Sequence, residues 1–304
     1  SPGAYQFEPS ATLAANGDLV ILYTGGGATL FAPSFLGVVR IPRDGAPIAQ
    51  PLPTAKQMHF DPWLATDGAG TLHAVWLGHD GGGVDRDAEI GYARSTDHGA
   101  TWTTPVAVHD PVDCPPGTAF CLDKPMVAAG PLPAAGRKAK ATGAAVRVFY
   151  AAGDTGLRMR TSTDGGASFG PAVAAIDGAY GDVAIDARGA VHLVAAAATP
   201  AGAAAWGSPA NAIRYARSND GVAFTPPVTV SGPGESIPFY FVNPSVVADP
   251  LGRRIHVAYA AGTPDGRWNI VLASSADGGA TWRRQRVRSE EHTSELQSRG
   301  LISY

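Results

Sequence analysis

A short motif returns four times along the chain, and this recurrence constrains the fold more than any other feature. Residues 95–102 read Ser-Thr-Asp-His-Gly-Ala-Thr-Trp, close copies occupy residues 162–169 and 275–282, and a weaker copy occupies residues 218–224. The motif aspartates are Asp97, Asp164, Asp220 and Asp277, so the steps between copies are 67, 56 and 57 residues. A repeat period of this length indicates one supersecondary unit per copy, packed in series.

The chemistry of the motif predicts a tight turn between two strands. An Asp side chain accepts hydrogen bonds from the backbone that follows it, and Gly supplies the positive φ that such a turn needs. The closing aromatic residue gives the turn an apolar ring to pack. We therefore interpret the four motif aspartates as structural turn residues.

Each repeat also predicts four short strands. The first strands open on an acidic or amide residue, and these opening residues are Glu8, Asp61, Asp123, Asp182 and Asn243. Second strands rich in Val, Ile and aromatic residues follow at 19–23, 72–76, 146–150, 191–195 and 255–259. A third strand precedes each motif copy and a fourth follows it. The pattern predicts an all-β protein, a β-propeller of four-stranded antiparallel blades with five blades visible.

The repeated motif resembles the Asp-box of the sialidase-like (BNR repeat) β-propeller superfamily, and the resemblance covers residues 5 to 287. It implies that the box joins the third and fourth strands of a blade, far from the active site. It also implies six blades in the intact protein, with the sixth outside this sequence. Residues 288–298 resemble a translated sequencing adapter, so we expect a propeller over 1–287 and a non-native tail over 288–304.

Composition and charge exclude several classes of function. The formal net charge of −3 leaves no basic footprint for nucleic acid. No apolar run approaches the ~18 residues of a membrane span. Cys114 and Cys121 are the only cysteines, and an isolated pair in one short loop is typical of a disulfide in an oxidising compartment. We expect a monomer that is secreted or periplasmic.

The loops at the channel mouth carry the candidate binding residues. The five opening residues of the first strands should form a ring there, either as acceptors for sugar hydroxyls or a cation, or as caps for backbone N–H groups of the neighbouring blade. Aromatic side chains of the same loops, which can cover a sugar face, include Trp206, Trp268 and Tyr240. Arg86 and Arg267 are the arginines expected on this face, and bidentate Arg suits a substrate carboxylate.

The loop of the second blade gives a weak indication of a metal. Its acidic residues alternate as Asp85, Asp87 and Glu89, but the full pattern of an EF-hand is absent. We therefore keep a Ca²⁺ ion and a solvated charged loop as alternatives, and we expect no other cofactor.

The resemblance implies a catalytic set that this sequence does not reproduce. Sialidases use three Arg for the substrate carboxylate and a Tyr nucleophile assisted by Glu, an exception among glycosidases. Here the first strand reads Phe7-Glu8-Pro9, an acid where the family has Arg, and Tyr240 with Glu235 is the nearest Tyr/Glu pair. The catalytic residues thus stay unassigned. We expect a secreted glycan-active propeller, an exo-glycosidase of the exo-α-sialidase type, or alternatively a non-catalytic glycan- or protein-binding propeller.

Overall fold

The described part of this computed structural model contains twenty β-strands and one 3₁₀ helix. The structure describes residues 5–26, 32–80, 86–115, 118, 121–133, 143–153, 156–197, 212–237, 243–262 and 266–289. Within these residues the strands form five separate four-stranded antiparallel sheets, each from one repeat and each in chain order. This arrangement confirms the all-β prediction of five four-stranded blades.

The first three blades follow one another along the chain. Blade 1 contains β1 (Tyr5–Leu13), β2 (Leu19–Gly26), β3 (Ser34–Ile41) and β4 (Ile48–Leu52). Blade 2 contains β5 (Met58–Thr66), β6 (Leu72–Asp80), β7 (Arg86–Ser95) and β8 (Val106–Ala107). The 3₁₀ helix Pro111–Asp113 then leads to blade 3, which contains β9 (Leu122–Pro131), β10 (Ala144–Ala152), β11 (Leu157–Ser162) and β12 (Val173–Ile176).

Two further blades complete the described part of the chain. Blade 4 contains β13 (Tyr180–Ile185), β14 (Val191–Ala197), β15 (Ala212–Ser218) and β16 (Val228–Thr229). Blade 5 contains β17 (Ser245–Ala248), β18 (Ile255–Gly262), β19 (Trp268–Ser275) and β20 (Arg283–Ser289). Strand β20 thus runs two residues past the boundary expected at Val287. The expected tail beyond Ser289 lies outside the described residues.

Apolar side chains fill the layers between neighbouring blades. Leu22 of blade 1 and Trp76 of blade 2 belong to one buried cluster, and Val75 of blade 2 and Tyr150 of blade 3 belong to another. In β2 and β18 buried residues alternate with half-buried ones, but the second strands of blades 2, 3 and 4 are covered on both faces, and every residue of β14 is buried. Burial on both faces explains their continuous Val, Leu and Ala runs.

The four motif aspartates lie in the turns between third and fourth strands. In the last copy, the Asp277 carboxylate accepts hydrogen bonds from the Thr281 hydroxyl at 2.6 Å, the Thr281 amide at 2.9 Å and the Ser275 hydroxyl at 2.7 Å. These donors, the Thr281 hydroxyl first, lower the pKa of Asp277 to about 2. Equivalent bonds within their own turns are accepted by Asp97, Asp164 and Asp220.

A buried polar group ties blade 2 to the box of blade 3. His73 Nε2 lies 3.2 Å from the Asp67 carboxylate, and His73 Nδ1 lies 2.8 Å from the Tyr92 hydroxyl. Because a carboxylate can only accept, Nε2 carries the proton and Nδ1 accepts from Tyr92. The Tyr92 hydroxyl in turn sits against Gly166 of the next box, where a Cβ would stand 1.7 Å away.

The same arrangement ties blade 4 to the box of blade 5. His192 Nδ1 lies 2.8 Å from the Tyr215 hydroxyl, and its Nε2 lies 3.5 Å from the Asp186 carboxylate. Tyr215 packs against Gly279, where a Cβ would stand 2.0 Å from its ring. The boxes of blades 3 and 5 therefore do more than close their own hairpins, since each also receives a tyrosine of the preceding blade.

His98 is the one motif residue whose replacement should stabilise the fold. Its φ is 60°, whereas glycine occupies the same place in the other copies, as in Gly165 with φ 70°. A side chain in the left-handed region costs ~1–2 kcal/mol, and glycine gives back ~0.5–1 kcal/mol in unfolded-state entropy. We expect His98→Gly to raise the free energy of unfolding by about 0.5–1 kcal/mol, measured by urea denaturation. The reciprocal change Gly165→His should lower it, and equal stability of both variants would contradict this account.

The predicted disulfide is present in the connection between blades 2 and 3. Cys114 and Cys121 are bonded with their Cα atoms 5.2 Å apart, and both side chains are buried. The Cys121 carbonyl also accepts a hydrogen bond from the Gly153 amide at 2.9 Å. The crosslink therefore holds the connection against the strands of blade 3.

Removing the crosslink should destabilise the propeller measurably. For a loop of this length, the loss of loop-closure entropy in the unfolded chain corresponds to about 2–3 kcal/mol. We expect the double variant Cys114→Ser/Cys121→Ser to lose about that much free energy of unfolding in thermal or urea denaturation. The control is wild-type protein unfolded under reducing conditions, and its free energy of unfolding should equal that of the double variant. Two free thiols in the native, non-reduced protein would contradict the assignment.

Candidate functional site

The first strands of blades 1, 2 and 3 share a bulge at the channel mouth. In each strand one extra residue is inserted where a dipeptide ending in proline lies opposite an aromatic of the second strand. The residues before these prolines are Glu8, Asp61 and Lys124, with φ of 53°, 51° and 43°. Non-glycine residues in this region cost of order 1–3 kcal/mol each and concentrate at functional sites. Bulges turn side chains away from the regular alternation of a strand.

The bulges surround a cavity of about 460 Å³ on the propeller axis. Its size falls within the ~300–1,000 Å³ of small-molecule sites. Three charged side chains, Glu8, Asp61 and Lys124, line it together with the amide residue Asn243. The remaining lining is largely apolar and includes Pro9, Ala11, Pro62, Trp63, Pro125 and Met126. The cavity thus combines a few converging polar groups with an apolar wall.

Lys124 links two blades at the cavity. Its ammonium group forms an ion pair with the Asp61 carboxylate and stands 5.7 Å from the centre of the Tyr180 ring. Burial alone would lower the pKa of Lys124, but the carboxylates of Asp61, Asp123 and Glu8 outweigh it and raise the pKa. Lys124 is therefore a permanent cation whose charge is matched by Asp61.

Glu8 is the group at this site whose ionisation responds to neutral pH. One carboxylate oxygen accepts a hydrogen bond from the Asp61 amide at 2.8 Å. Burial, and next the charge of the neighbouring Asp61 carboxylate, raise the pKa of Glu8 from 4.5 to about 7. Near neutral pH the Glu8 carboxyl group therefore holds a proton that can be donated or withdrawn.

The structure brings together only part of the predicted ring. Glu8, Asp61 and Asn243 line the cavity, but in blade 3 the place before the proline belongs to Lys124. Asp123 lies one residue earlier and is buried. One of its carboxylate oxygens accepts a hydrogen bond from the Lys124 amide at 2.8 Å. The position of the proline explains the difference, because the same bulge brings the residue just before the proline to the cavity in all three strands, and in blade 3 that residue is Lys124.

Asp182 does not face the cavity and instead caps the next blade. Its carboxylate accepts hydrogen bonds from the Val246 amide and the Ser245 hydroxyl, both at 2.9 Å. Strand β13 has no proline after the aspartate and pairs without a bulge, so nothing turns this side chain inward. Asp182 therefore caps the neighbouring blade, which is the second of the two roles that the sequence left open for the ring residues.

The remaining predicted rim residues are dispersed or lie outside the described part. Trp206 and Tyr240 lie outside the described residues, and for Arg86 only the backbone, at the start of β7, is described. Trp268 begins β19 beside Gly262 and is 40% exposed, away from the axial cavity. Arg267 precedes it and is exposed. None of these residues is therefore among the described lining of the axial cavity.

Glu235 has a structural partner other than Tyr240. Its carboxylate accepts hydrogen bonds from the Tyr259 hydroxyl at 2.8 Å and from the Gly232 amide at 2.6 Å. Asp113 holds the Tyr150 hydroxyl at 2.7 Å at the corresponding place between blades 2 and 3. Glu235 therefore anchors the connection between blades 4 and 5 to β18, and it lines a separate cavity of about 380 Å³.

The ring of five opening residues predicted from the sequence leaves out three residues of the site, namely Lys124, Ser10 and Trp63. Ser10 accepts a hydrogen bond from the Leu64 amide at 2.9 Å and so joins blades 1 and 2 beneath Glu8. The sequence feature that identifies Lys124 is the proline in three first strands, since the residue just before each of these prolines lines the cavity.

Metal and membrane features are limited in the described residues. Among them, no group of three or more His, Cys, Asp or Glu side chains is placed to hold a metal ion. In the second-blade loop, Asp80 forms a salt bridge with Lys56 at 3.0 Å, and Asp85 lies outside the described residues. No helix within the described ranges is both long and apolar enough to cross a membrane.

The architecture matches solved structures of propeller enzymes at low sequence identity. The structure titled Hadza microbial sialidase Hz136 is 17% identical, with a TM-score of 0.58 over 93% of this chain and 59% of that chain. NanB sialidase from Streptococcus pneumoniae is 9% identical, with a TM-score of 0.60 over 93% and 61%. An α-L-arabinanase from Penicillium chrysogenum, complexed with arabinobiose, is 14% identical, with a TM-score of 0.54 over 92% and 80%.

These matches confirm the sialidase-like propeller fold, and at such identities they show the fold alone. This chain spans 59% of the length of the Hadza sialidase, so the activity of a whole sialidase does not transfer with the likeness. No protein-family model and no curated protein matches the sequence.

Proposed function

We propose that this chain is the propeller of a secreted glycan-active protein, an exo-glycosidase that takes the end of a sugar chain in the axial cavity. The observation that carries the proposal is the convergence of Glu8, Asp61 and Lys124, each on a strained bulge, at one cavity of ligand size. The three side chains can bind sugar hydroxyls, while Trp63 and the prolines offer an apolar surface to the C–H face of a ring. The disulfide is typical of proteins outside the cytosol and supports secretion.

In this proposal Glu8 is the proton donor to the departing sugar oxygen. A general acid works best when its pKa lies near the working pH, and burial with the Asp61 carboxylate raises the pKa of Glu8 to about 7. Lys124 neutralises Asp61 through their ion pair, so the proton resides on Glu8. Asp61 and Lys124 orient the donor and bind hydroxyl groups.

A non-catalytic binding propeller is the second candidate, and the ion pair of Asp61 favours it. The Asp61 carboxylate is held by Lys124, whereas two-carboxylate glycosidases use a second carboxylate as nucleophile or base. Hydrolysis with Glu8 as the acid therefore requires a nucleophile or base from another part of the molecule. A lectin-like site has no such requirement.

A paired assay of binding and hydrolysis tests the two candidates. The full chain is screened on a glycan array and on fluorogenic exo-glycosides, with Glu8→Gln in parallel. Hydrolysis by wild type that Glu8→Gln loses while it still binds the array supports the exo-glycosidase. Binding without hydrolysis by wild type supports the binding protein. Hydrolysis that Glu8→Gln retains would place the chemistry elsewhere, and no binding of any glycan would overturn both.

A further inference from the structure

The charge balance of the axial cavity constrains which sugars it can accept. Among the described lining residues, Lys124 is the sole cation, against the two acids Glu8 and Asp61. Its ammonium group is already paired with Asp61, inside one ion pair shared by blades 2 and 3. A further anion entering the cavity would find no unmatched cation among these residues.

The sequence of the surrounding loops adds little positive charge. The described residues that connect strands at this face are 32–33, 53–57, 108–115, 118, 121, 153, 156, 177–179, 230–237, 243–244 and 266–267. They contain one Lys and one Arg, namely Lys56 and Arg267, and Arg86 begins β7. Lys56 is held in a salt bridge with Asp80 at 3.0 Å. Recognition of a carboxylate typically uses Arg in a bidentate pair, and no described lining residue of the cavity is Arg.

The lining is instead suited to hydroxyl groups and a C–H face. Carboxylate oxygens of Glu8 and Asp61 accept hydrogen bonds from hydroxyls, and the Asn243 amide can both donate and accept. Trp63 and the three prolines supply the apolar wall. A bound sugar carboxylate would lose its hydration in the cavity without gaining a matching cation from these residues, a cost that a neutral ring does not incur.

We propose that the axial cavity selects glycan ends without a carboxylate, so that its ligand class is a neutral sugar and not a sialate or a uronate. This inference rests on the proposed glycan site and specifies its ligand. It also predicts that adding a cation at the rim changes the selectivity. Asn243 is exposed at the cavity, so Asn243→Arg places a guanidinium where a carboxylate could reach it.

The experiment compares matched ligands on the full chain. The array carries neutral hexose and pentose ends, the corresponding uronate ends, the methyl esters of those uronates, and sialosides. We expect neutral ends and methyl esters to bind at least about tenfold more tightly than the free uronates and sialosides, a difference of ~1.4 kcal/mol. Asn243→Arg should narrow this gap by improving binding of the carboxylated ends.

The outcomes separate this inference from the function on which it rests. If sialosides or free uronates bind as tightly as neutral ends, the inference is overturned while the glycan site stands. If methyl esters bind as poorly as free uronates, the discrimination is steric and the charge argument fails. If no glycan of any class binds, the proposed function is overturned and this inference falls with it.

Discussion

Gly166→Ala is expected to lower the free energy of unfolding by about 3 kcal/mol or more. The residue has φ 84°, so alanine incurs the ~1–2 kcal/mol of a left-handed side chain. Its Cβ would also stand 1.7 Å from the Tyr92 hydroxyl. Tyr92 cannot easily withdraw, because it is buried and bonded to His73 at 2.8 Å, and overpacking such a site costs ~1–3 kcal/mol. Urea denaturation followed by tryptophan fluorescence measures the loss.

The neighbouring glycine is the matched control for this substitution. Gly165 also has a positive φ, but a Cβ there meets only the tip of Arg94 at 3.5 Å, so Gly165→Ala should cost about 1 kcal/mol. Tyr92→Phe removes the clashing oxygen and should reduce the cost of Gly166→Ala in the double variant. If Gly165→Ala and Gly166→Ala lose equal free energy of unfolding, or if Tyr92→Phe does not change the cost of Gly166→Ala, the contact of Tyr92 does not hold the box in place.

The blades could be predicted because their signals are local in sequence. The turn motif needs its serine, aspartate, glycine and closing residue within a few positions, and β6, β10 and β14 are buried on both faces. The buried histidine that bonds this tyrosine also has a signature in the sequence. Asp67, Gly70 and His73 have the same spacing as Asp186, Gly189 and His192, which places an acid beside a buried histidine in two blades.

The site could be predicted only in part, because it depends on strand register and on contacts between blades. In the bulge of β9 the residue just before the proline is Lys124, so Lys124 and not Asp123 lines the cavity. The lack of a bulge in β13 sends Asp182 to blade 5. The hydrogen bond from Tyr259 to Glu235 joins residues 24 positions apart, and no local sequence pattern predicts it.

Glu8→Gln should make the native state of the propeller more stable at alkaline pH. Burial, and then the Asp61 carboxylate, raise the pKa of Glu8 from 4.5 to about 7. The stability that such a group contributes is fully present below its unfolded pKa and is lost as the pH rises through 7. Wild type should therefore lose about 1–3 kcal/mol between pH 5 and pH 8.5 through this group, after allowance for solvent screening. Glutamine does not ionise and should lose none of it.

The same substitution should have the opposite effect on catalysis if Glu8 is the proton donor. An amide cannot transfer a proton, so hydrolysis should fall by about 10²–10⁴-fold, and wild-type activity should decline above pH 7. Ser10→Ala is the matched control, because it loses the Leu64 bond at the same cavity but keeps the carboxyl group. It should preserve the midpoint near pH 7. If the unfolding free energies of wild type and Glu8→Gln run parallel from pH 5 to pH 8.5, Glu8 is not protonated in the native cavity, and its role as an acid fails with that result.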